Sequence, residues 1–513
     1  MGSCIAKKQK EEVHSRNTSK LKVVIPKNQM LESNPVYAEM PFDQGDCFQL
    51  NKNLFKDEYI LIDSHPFLST EYGIYQWCYS KKTDSRKLVK TIKKTEDPKS
   101  DEPVLILKNI HMMQYLDHPN IAKMIEYFNE SLHYYIVYED YEGGNLLSKM
   151  ITRGENPQQM AAIIIEQVLS TLLYLHSKNI IYRFLNHNTL LCDDKLNITF
   201  VEFGAAKKIS QYIQLPVGDQ HYQSPEMLNG NYSFKSDIWA VGVLLHFLLS
   251  GAMPFDGVMA SSIKNSIMRG IVKLEDTFDW DKIPDAKEFV RKLLNFSQNQ
   301  RPSAADALKD RWIEKAKLKK LALKINPALT NLRKFQKCEV LVEAIIMQIV
   351  QMTLTQEQKG EILQIFQEFD QNRDGKISTQ ELIEGTYCII DRGYKKYQTS
   401  TKLEDQDIEK LVKKIDSNGN GYLDYTEFLL ACQDKKKLLT VEKLKLVFAQ
   451  LDVDKDNALS MMEMRRIFGG NRISDKNWHN ILSKTNLKQK SVLTEQEFLE
   501  FIIKTMQNDH SFQ

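Results

Sequence analysis

Between Asp370 and Glu381 the chain reads DQNRDGKISTQE, and its oxygen-bearing residues fall at fixed intervals. Asp370, Asn372 and Asp374 take positions 1, 3 and 5, Lys376 offers a backbone carbonyl at 7, and Glu381 closes the stretch at 12. Calcium, a hard cation, takes six to eight oxygens, and this spacing wraps them around one point. Gly375 at position 6 permits the sharp turn, and a glutamate at 12 can bind through both of its oxygens. The scheme recurs in DSNGNGYLDYTE, with Asp416, Asn418, Asn420, the carbonyl of Tyr422, Asp424 and Glu427. It recurs again in DVDKDNALSMME, with Asp452, Asp454, Asp456, the carbonyl of Ala458, Ser460 and Glu463. There Asn457 replaces the glycine, and asparagine is among the few side chains that tolerate a left-handed backbone. A fourth stretch, NLKQKSVLTEQE, keeps Glu497 but places Lys488 and Lys490 at positions 3 and 5, where ammonium groups repel a cation. The expectation is about three calcium ions.

Upstream, residues 180–191 read IIYRFLNHNTLL, and an ordered set of short strings surrounds them. KLVKTIKK carries Lys90, LDHPNIAKMIEYF spans 116–128, and VEFG spans 201–204. SPE follows at 224–226, SDIWAVGVLL at 236–245, and NQRPSAADAL carries Arg301. In this order, over 59–312, the set resembles the protein kinases. The acidic loops resemble EF-hands. A kinase-like region, a basic helical link and four EF-hands together resemble the calcium-dependent protein kinases. The resemblance implies a multidomain α+β chain: a bilobal kinase-like fold, with a β-rich small lobe and a helical large lobe, then an all-α, calmodulin-like EF-hand domain. It implies that Lys90 is the phosphate-pairing lysine, that Asp237, Trp239 and Gly242 brace the catalytic loop, and that Arg301 pairs with Glu226. Met113, Tyr182 and Phe203 would stack as the hydrophobic spine.

The departures from that family fall on the chemistry. Where kinases have a glycine-rich loop this chain has FLSTEYG, with Leu68 and Thr70 at the first two glycines and only Gly73 kept. Asn109 stands at the αC glutamate, with Glu102 two helical turns earlier. Phe184 stands at the proton-accepting aspartate, and Thr189 and Glu202 at the two magnesium ligands. Lys90 and Gly73 are the nucleotide-binding residues that remain, and the losses argue against bound ATP and magnesium. With Asn109 opposite it, Lys90 is expected to turn to Glu202 and plug the cleft. Packing residues persist where chemical ones are gone, which suggests that the folded shape still serves a purpose. The leading expectation is a pseudokinase scaffold or regulator, switched by calcium and read by a protein partner. The alternatives are an active calcium-dependent Ser/Thr kinase built around Lys90 and Glu202, and a structural component of a larger assembly.

Several elements must hold these residues in place. β-rich runs (YILID, YGIYQWCY, KLVKTI) fill 59–94, YYIVYED follows at 134–140, and 157–312 reads as mostly helical. The predicted division is a flexible extension over 1–58, the kinase-like domain over 59–312, a basic helical junction over 313–354 and EF-hands over 355–506. In the junction Lys315, Lys317, Lys319, Lys320 and Lys324 alternate with Leu318, Leu321 and Leu323, and Leu341, Ile345 and Ile349 lie further on. A basic amphipathic stretch of this kind is calmodulin-target-like, so the chain's own junction is the expected ligand of its EF-hands, in an autoinhibitory-like arrangement. Ile377, Leu423, Leu459 and Leu493 share position 8 of their loops, where paired hands exchange a short β contact. His111, His118 and His221 show no metal-ligand spacing.

Composition bounds the rest. A hydrophobic fraction of 42%, 27% charged residues and a net charge of +2 suit a soluble globular protein and give no signal for nucleic acid. Seven scattered cysteines without a CxxC pair argue for a reducing, intracellular and cytoplasmic setting. The longest apolar run, VGVLLHFLL, is about half of the roughly 20 residues that a membrane span needs. The N-terminus, MGSCIAKKQK, offers Gly2 and Cys4 as lipidation candidates beside Lys7, Lys8 and Lys10, although Ala6 stands where Ser or Thr is usual. Acylation there would place the chain on a membrane.

Overall fold

The first sheet is covered on both faces: Tyr75 and Leu88 are fully buried in one core, and Cys78 and Val89, on the opposite face, are fully buried in another. The computed structural model describes residues 49–508 apart from 52, 63–65, 96–101, 142, 148–156, 210–216, 256, 273, 275–278, 318–330, 333–334, 336–339, 392–404, 453 and 466–491. The sheet holds β1 (Gln49–Asn51), β2 (Tyr59–Leu61), β3 (Leu68–Thr70), β4 (Gly73–Ser80), β5 (Ser85–Lys93), β6 (Met124–Asn129) and β7 (His133–Tyr138). Their order is β1-β6-β7-β5-β4-β2, with β3 also beside β4. All pairs are antiparallel except β1 with β6. The helix Glu102–Gln114 sends Ile110 and Met113 into the same core as Tyr75, Leu88 and Tyr138.

The sequence places residues 49–58 in a flexible extension, but 49–51 and 53–58 are built into the small lobe. Residues 49–51 form β1, and a short helix, Phe55–Glu58, follows. Phe55 stacks on Tyr135 at 4.4 Å and on Tyr59 at 5.4 Å, and Asn51 Nδ2 donates to Glu126 at 2.8 Å. One anchoring aromatic and a three-residue strand are too short to leave a periodic signal.

The large lobe is built on Pro157–Ser177 and Phe234–Ser250, buried on nearly every side. The first is long and apolar enough to cross a bilayer, but most of it lies inside the lobe. Ser233 and Ser236 form a capping box at the start of the second, and Gly251, at φ 70°, ends it in the left-handed region. Trp239 is fully buried and stacks on Phe255 at 5.1 Å.

The last domain repeats helix, loop and helix. Gln356–Phe369 and Thr379–Asp391 flank the first loop, Asp405–Ile415 and Tyr425–Ala431 the second, and Val441–Leu451 and Met461–Arg465 the third. Ile377 pairs with Leu423 and Leu459 with Leu493, so the position-8 contacts join loop 1 to loop 2 and loop 3 to loop 4. The junction differs in part from its expected form. Arg311–Lys317 belongs to the large lobe, with Trp312 and Ile313 buried in its core. The helix Val340–Thr353 carries one charge, Glu343, rather than a basic face. Its Val342, Ile345, Ile346 and Ile349 are fully buried in one core with Phe366, Phe428 and Phe448 of the hands. Leu318, Leu321, Leu323 and Lys319, Lys320 and Lys324 lie outside the described residues, as do Gly2 and Cys4 and the side chain of Leu341.

Candidate calcium loops and the cleft of the kinase-like fold

All three acidic loops hold a calcium-type backbone. Positions 4 and 6 are left-handed in each: Arg373 and Gly375 at φ 61° and 79°, Gly419 and Gly421 at 71° and 82°, Lys455 and Asn457 at 60° and 63°. Asn457 thus takes the conformation that its residue type tolerates. The position-6 amide donates to the position-1 carboxylate in every loop: Gly375 to Asp370 at 3.0 Å, Gly421 to Asp416 at 2.9 Å, Asn457 to Asp452 at 3.1 Å. The closing glutamates are drawn inward. Glu381 Oε1 accepts from Asn372 N at 3.1 Å, and Glu427 Oε1 from Ser417 N at 2.9 Å. In the third loop Asp452, Asp454 and Glu463 bring carboxylate oxygens within 4.8 Å of one another. Asp452 Oδ1 is buried there without a hydrogen-bond partner, an acceptor that a cation would satisfy.

The electrostatics fit the same ion. Burial pushes Asp370 up to about 8, with Asp374 and Glu381 adding to the rise and Arg373 opposing it. Burial and then Asp424 push Glu427 up to about 8. Carboxyls crowded in this way resist ionisation until a cation arrives. The first loop would hold calcium through Asp370, Asn372, Asp374, the Lys376 carbonyl and Glu381. The second would use Asp416, Asn418, Asn420, the Tyr422 carbonyl and Glu427, and the third Asp452, Asp454, Asp456, the Ala458 carbonyl and Glu463. Residues 486–491 of the fourth loop, Lys488 and Lys490 among them, lie outside the described residues.

In the cleft between the lobes, Lys90 Nζ lies 2.5 Å from Glu202 Oε1, both buried. Glu202 also accepts from Thr70 Oγ1 at 2.7 Å and from Gly204 N at 2.7 Å, which leaves its carboxylate fully engaged. Burial lowers the Lys90 ammonium below its usual range, and Glu202 offsets part of that. Asn109 faces Gly204 instead of Lys90, donating to its carbonyl at 2.9 Å. The turn between Thr70 and Gly73 lies in the cleft. Tyr72 meets Phe184 edge-on at 5.2 Å and packs so closely on Gly204 that a Cβ there would stand 2.3 Å from the ring. Gly73 lies against Lys90 Cε in the same way, at 2.9 Å from an added Cβ. The Thr189 hydroxyl lies 3.3 Å from Phe184 O and 3.2 Å from Asn186 O, so its contacts are internal to the loop.

The framework around this cleft is intact. Asp237 accepts from Tyr182 N at 3.0 Å, Arg183 N at 2.9 Å and His176 Nε2 at 2.8 Å, and so fixes the loop on which Phe184 sits. Arg301 grips Glu226 with two bonds of 2.6 and 2.8 Å. Tyr182 and Phe203 meet at 5.3 Å, with Met113 buried in the same core.

The sequence gives no local sign of a third constellation, where the hands meet the kinase-like fold. Glu139 binds Lys359 at 2.6 Å, Glu166 binds Arg373 at 2.9 Å, and Asp117 accepts from Thr426 Oγ1 at 2.6 Å. His118, which carries no metal spacing, is buried at this seam, and burial holds its ring down to about 3. These partners lie 207–309 residues apart along the chain, beyond the reach of any spacing rule.

The fold and the loops define a class, a protein-kinase fold joined to EF-hands, and comparison with known proteins divides the chain in the same way. The protein kinase domain family matches residues 70–313, the EF-hand domain pair matches 359–433, and an EF hand matches 444–468. Calcium-dependent protein kinase 4 of Plasmodium falciparum is 30% identical over 439 residues, which is 83% of this chain and 82% of the relative. Calcium-dependent protein kinase 5 of the same species is 28% identical over 438 residues, covering 83% and 74%. Calcium-dependent protein kinase 3 of Plasmodium berghei is 28% identical over 430 residues, covering 81% and 74%. The chain belongs to the calcium-dependent protein kinase family.

Proposed function

We propose that this chain is a calcium sensor on a kinase-like scaffold that does not transfer phosphate. The observation that carries the reading is the closed set Lys90–Glu202–Thr70, in a cleft where Phe184 occupies the proton-accepting position. Phenylalanine cannot take a proton from a hydroxyl, and positioned acid–base catalysis is worth about 10²–10⁴ in rate. Glu202 is engaged by three donors, Lys90, Thr70 and Gly204 N, with which magnesium would have to compete, and Thr189 donates within its own loop. Three calcium ions, one in each acidic loop, are the input. Val340–Thr353 serves as the hands' internal ligand, and the output is a shifted surface that a protein partner reads.

The test is nucleotide binding and phosphotransfer by the purified full chain, with and without calcium. Neither activity is expected, and Phe184→Asp alone restores neither, because the cleft stays closed. A calcium-stimulated phosphorylation that disappears in Lys90→Met would overturn the reading.

Gly2 and Cys4 add a membrane to this proposal, through acylation supported by Lys7, Lys8 and Lys10. One acyl chain holds a protein only marginally, so Gly2→Ala is expected to release the protein into the soluble fraction and Cys4→Ser to release part of it. A wild-type protein that is wholly soluble in its own cells would end the membrane part alone.

A further inference from the structure

The kinase-like fold touches the first two calcium loops at their own loop residues. Arg373, at position 4 of loop 1, is held twice: its Nε donates to Glu166 Oε1 at 2.9 Å, and its carbonyl accepts from Ser170 Oγ at 2.8 Å. His118 lies over Gly375 at position 6, where an added Cβ would stand 2.2 Å from His118 Cδ2. His118 is held in turn, with Nε2 3.2 Å from Ser170 Oγ and Nδ1 accepting from Asn120 N at 3.1 Å. In loop 2, Asp117 accepts from Thr426 N at 3.1 Å and from Thr426 Oγ1 at 2.6 Å, one residue before the closing Glu427. His118, Glu166 and Ser170 are all buried. The third loop meets the kinase-like region through an ion pair of 3.5 Å from the largely exposed Lys455 to Glu58.

We infer that the kinase-like lobe sets the calcium affinity of loops 1 and 2, with Asp117, His118, Glu166 and Ser170 as positioning residues, and leaves loop 3 to its own affinity. The inference rests on the calcium-sensor reading above and adds how its threshold is set. A calcium loop needs a left-handed backbone at position 4, which a non-glycine residue adopts at a cost. Arg373 is fixed there by both its carbonyl and its guanidinium, contacts that need no ion, so less ordering is left for binding to supply. Asp117 likewise fixes the start of the helix that carries Glu427. Coupling of this kind is reciprocal: whatever docking adds to calcium affinity, calcium adds to docking. The preserved kinase packing then has a use that needs no nucleotide.

The test is calorimetric calcium titration of the full chain, with Glu463→Gln as background to identify the third site. Asp117→Asn, Glu166→Arg and Arg373→Ala are each expected to weaken two sites by roughly tenfold, within the usual range of site–site coupling, and to leave the third unchanged. Glu166 is buried, so Arg373→Ala reports from the loop side if Glu166→Arg disturbs the lobe. The charge swap Glu166→Arg with Arg373→Glu is expected to recover most of the lost affinity, which a purely structural defect would not. Unchanged affinity in all the single variants, or equal weakening of all three sites, would overturn the inference and leave the sensor reading standing. A wild-type chain that binds no calcium in loops 1 and 2 would overturn both.

Discussion

Glu202 is the residue on which the cleft turns. From the sequence it stands at a magnesium-ligand position, one methylene longer than the usual aspartate and still able to reach a metal; in the structure its carboxylate is shared by Lys90, Thr70 and Gly204 N. Removing one partner of a buried ion pair strands the other, which typically costs about 3–5 kcal/mol, whereas replacing both by apolar groups is often neutral. Lys90→Met is therefore expected to destabilise the full chain by an amount of that order, and Lys90→Met with Glu202→Leu to regain most of it. Denaturant unfolding monitored on the kinase-like domain checks this, and a Lys90→Met variant as stable as wild type would show that the pair does not hold the cleft. The substitutions themselves are legible in the sequence because a family pattern fixes where each chemical residue belongs. What each substitute bonds to is not: Asn109 turning to Gly204, or Thr70 closing on a glutamate 132 residues away, depends on how the lobes close.

The calcium loops are elements of twelve residues, so spacing alone points to their candidate ligands, to the left-handed position 6 and, through position 8, to their β pairing, but not to the left-handed position 4 or to the contacts with the kinase-like lobe. The N-terminal strand and its helix lie at the other extreme, being short and held by contacts to Glu126 and Tyr135 that no local pattern announces. The loops also carry a pH signature. An ordinary carboxyl titrates near about 4, whereas Asp370 and Glu427 are pushed up to about 8. Between those values the folded, calcium-free loops bind protons that the unfolded chain does not, so their stability falls as pH rises through that window. Calcium must displace the same protons, so its affinity at loops 1 and 2 is expected to climb from about pH 6 to about pH 8 and then level off, with protons released on binding. Titration calorimetry in buffers of different ionisation enthalpy measures that release. A pH-independent affinity without proton release would contradict the assigned environments.

Across the whole molecule, two bodies that sequence reading treats as separate domains share a seam. Lys359, Arg373 and Thr426 of the hands meet Glu139, Glu166 and Asp117 of the kinase-like fold, and Val340–Thr353 lies buried in the core of the hands. The sequence reads the junction as one basic amphipathic helix, whereas the helix buried among the hands, Val340–Thr353, carries no basic residue, because the lysines and the buried residues are different stretches of chain. In this account calcium acts through the seam and the helix, and nucleotide acts nowhere. The most direct test is hydrogen exchange on the full chain, alone, with calcium, and with ATP and magnesium. Calcium is expected to change protection in 340–353 and in both of the first two loops together, and Glu381→Gln with Glu427→Gln to abolish the change. ATP and magnesium are expected to leave 68–73 and 184–204 as they were. Protection of those cleft segments by nucleotide, or a helix 340–353 indifferent to calcium while the loops saturate, would contradict it.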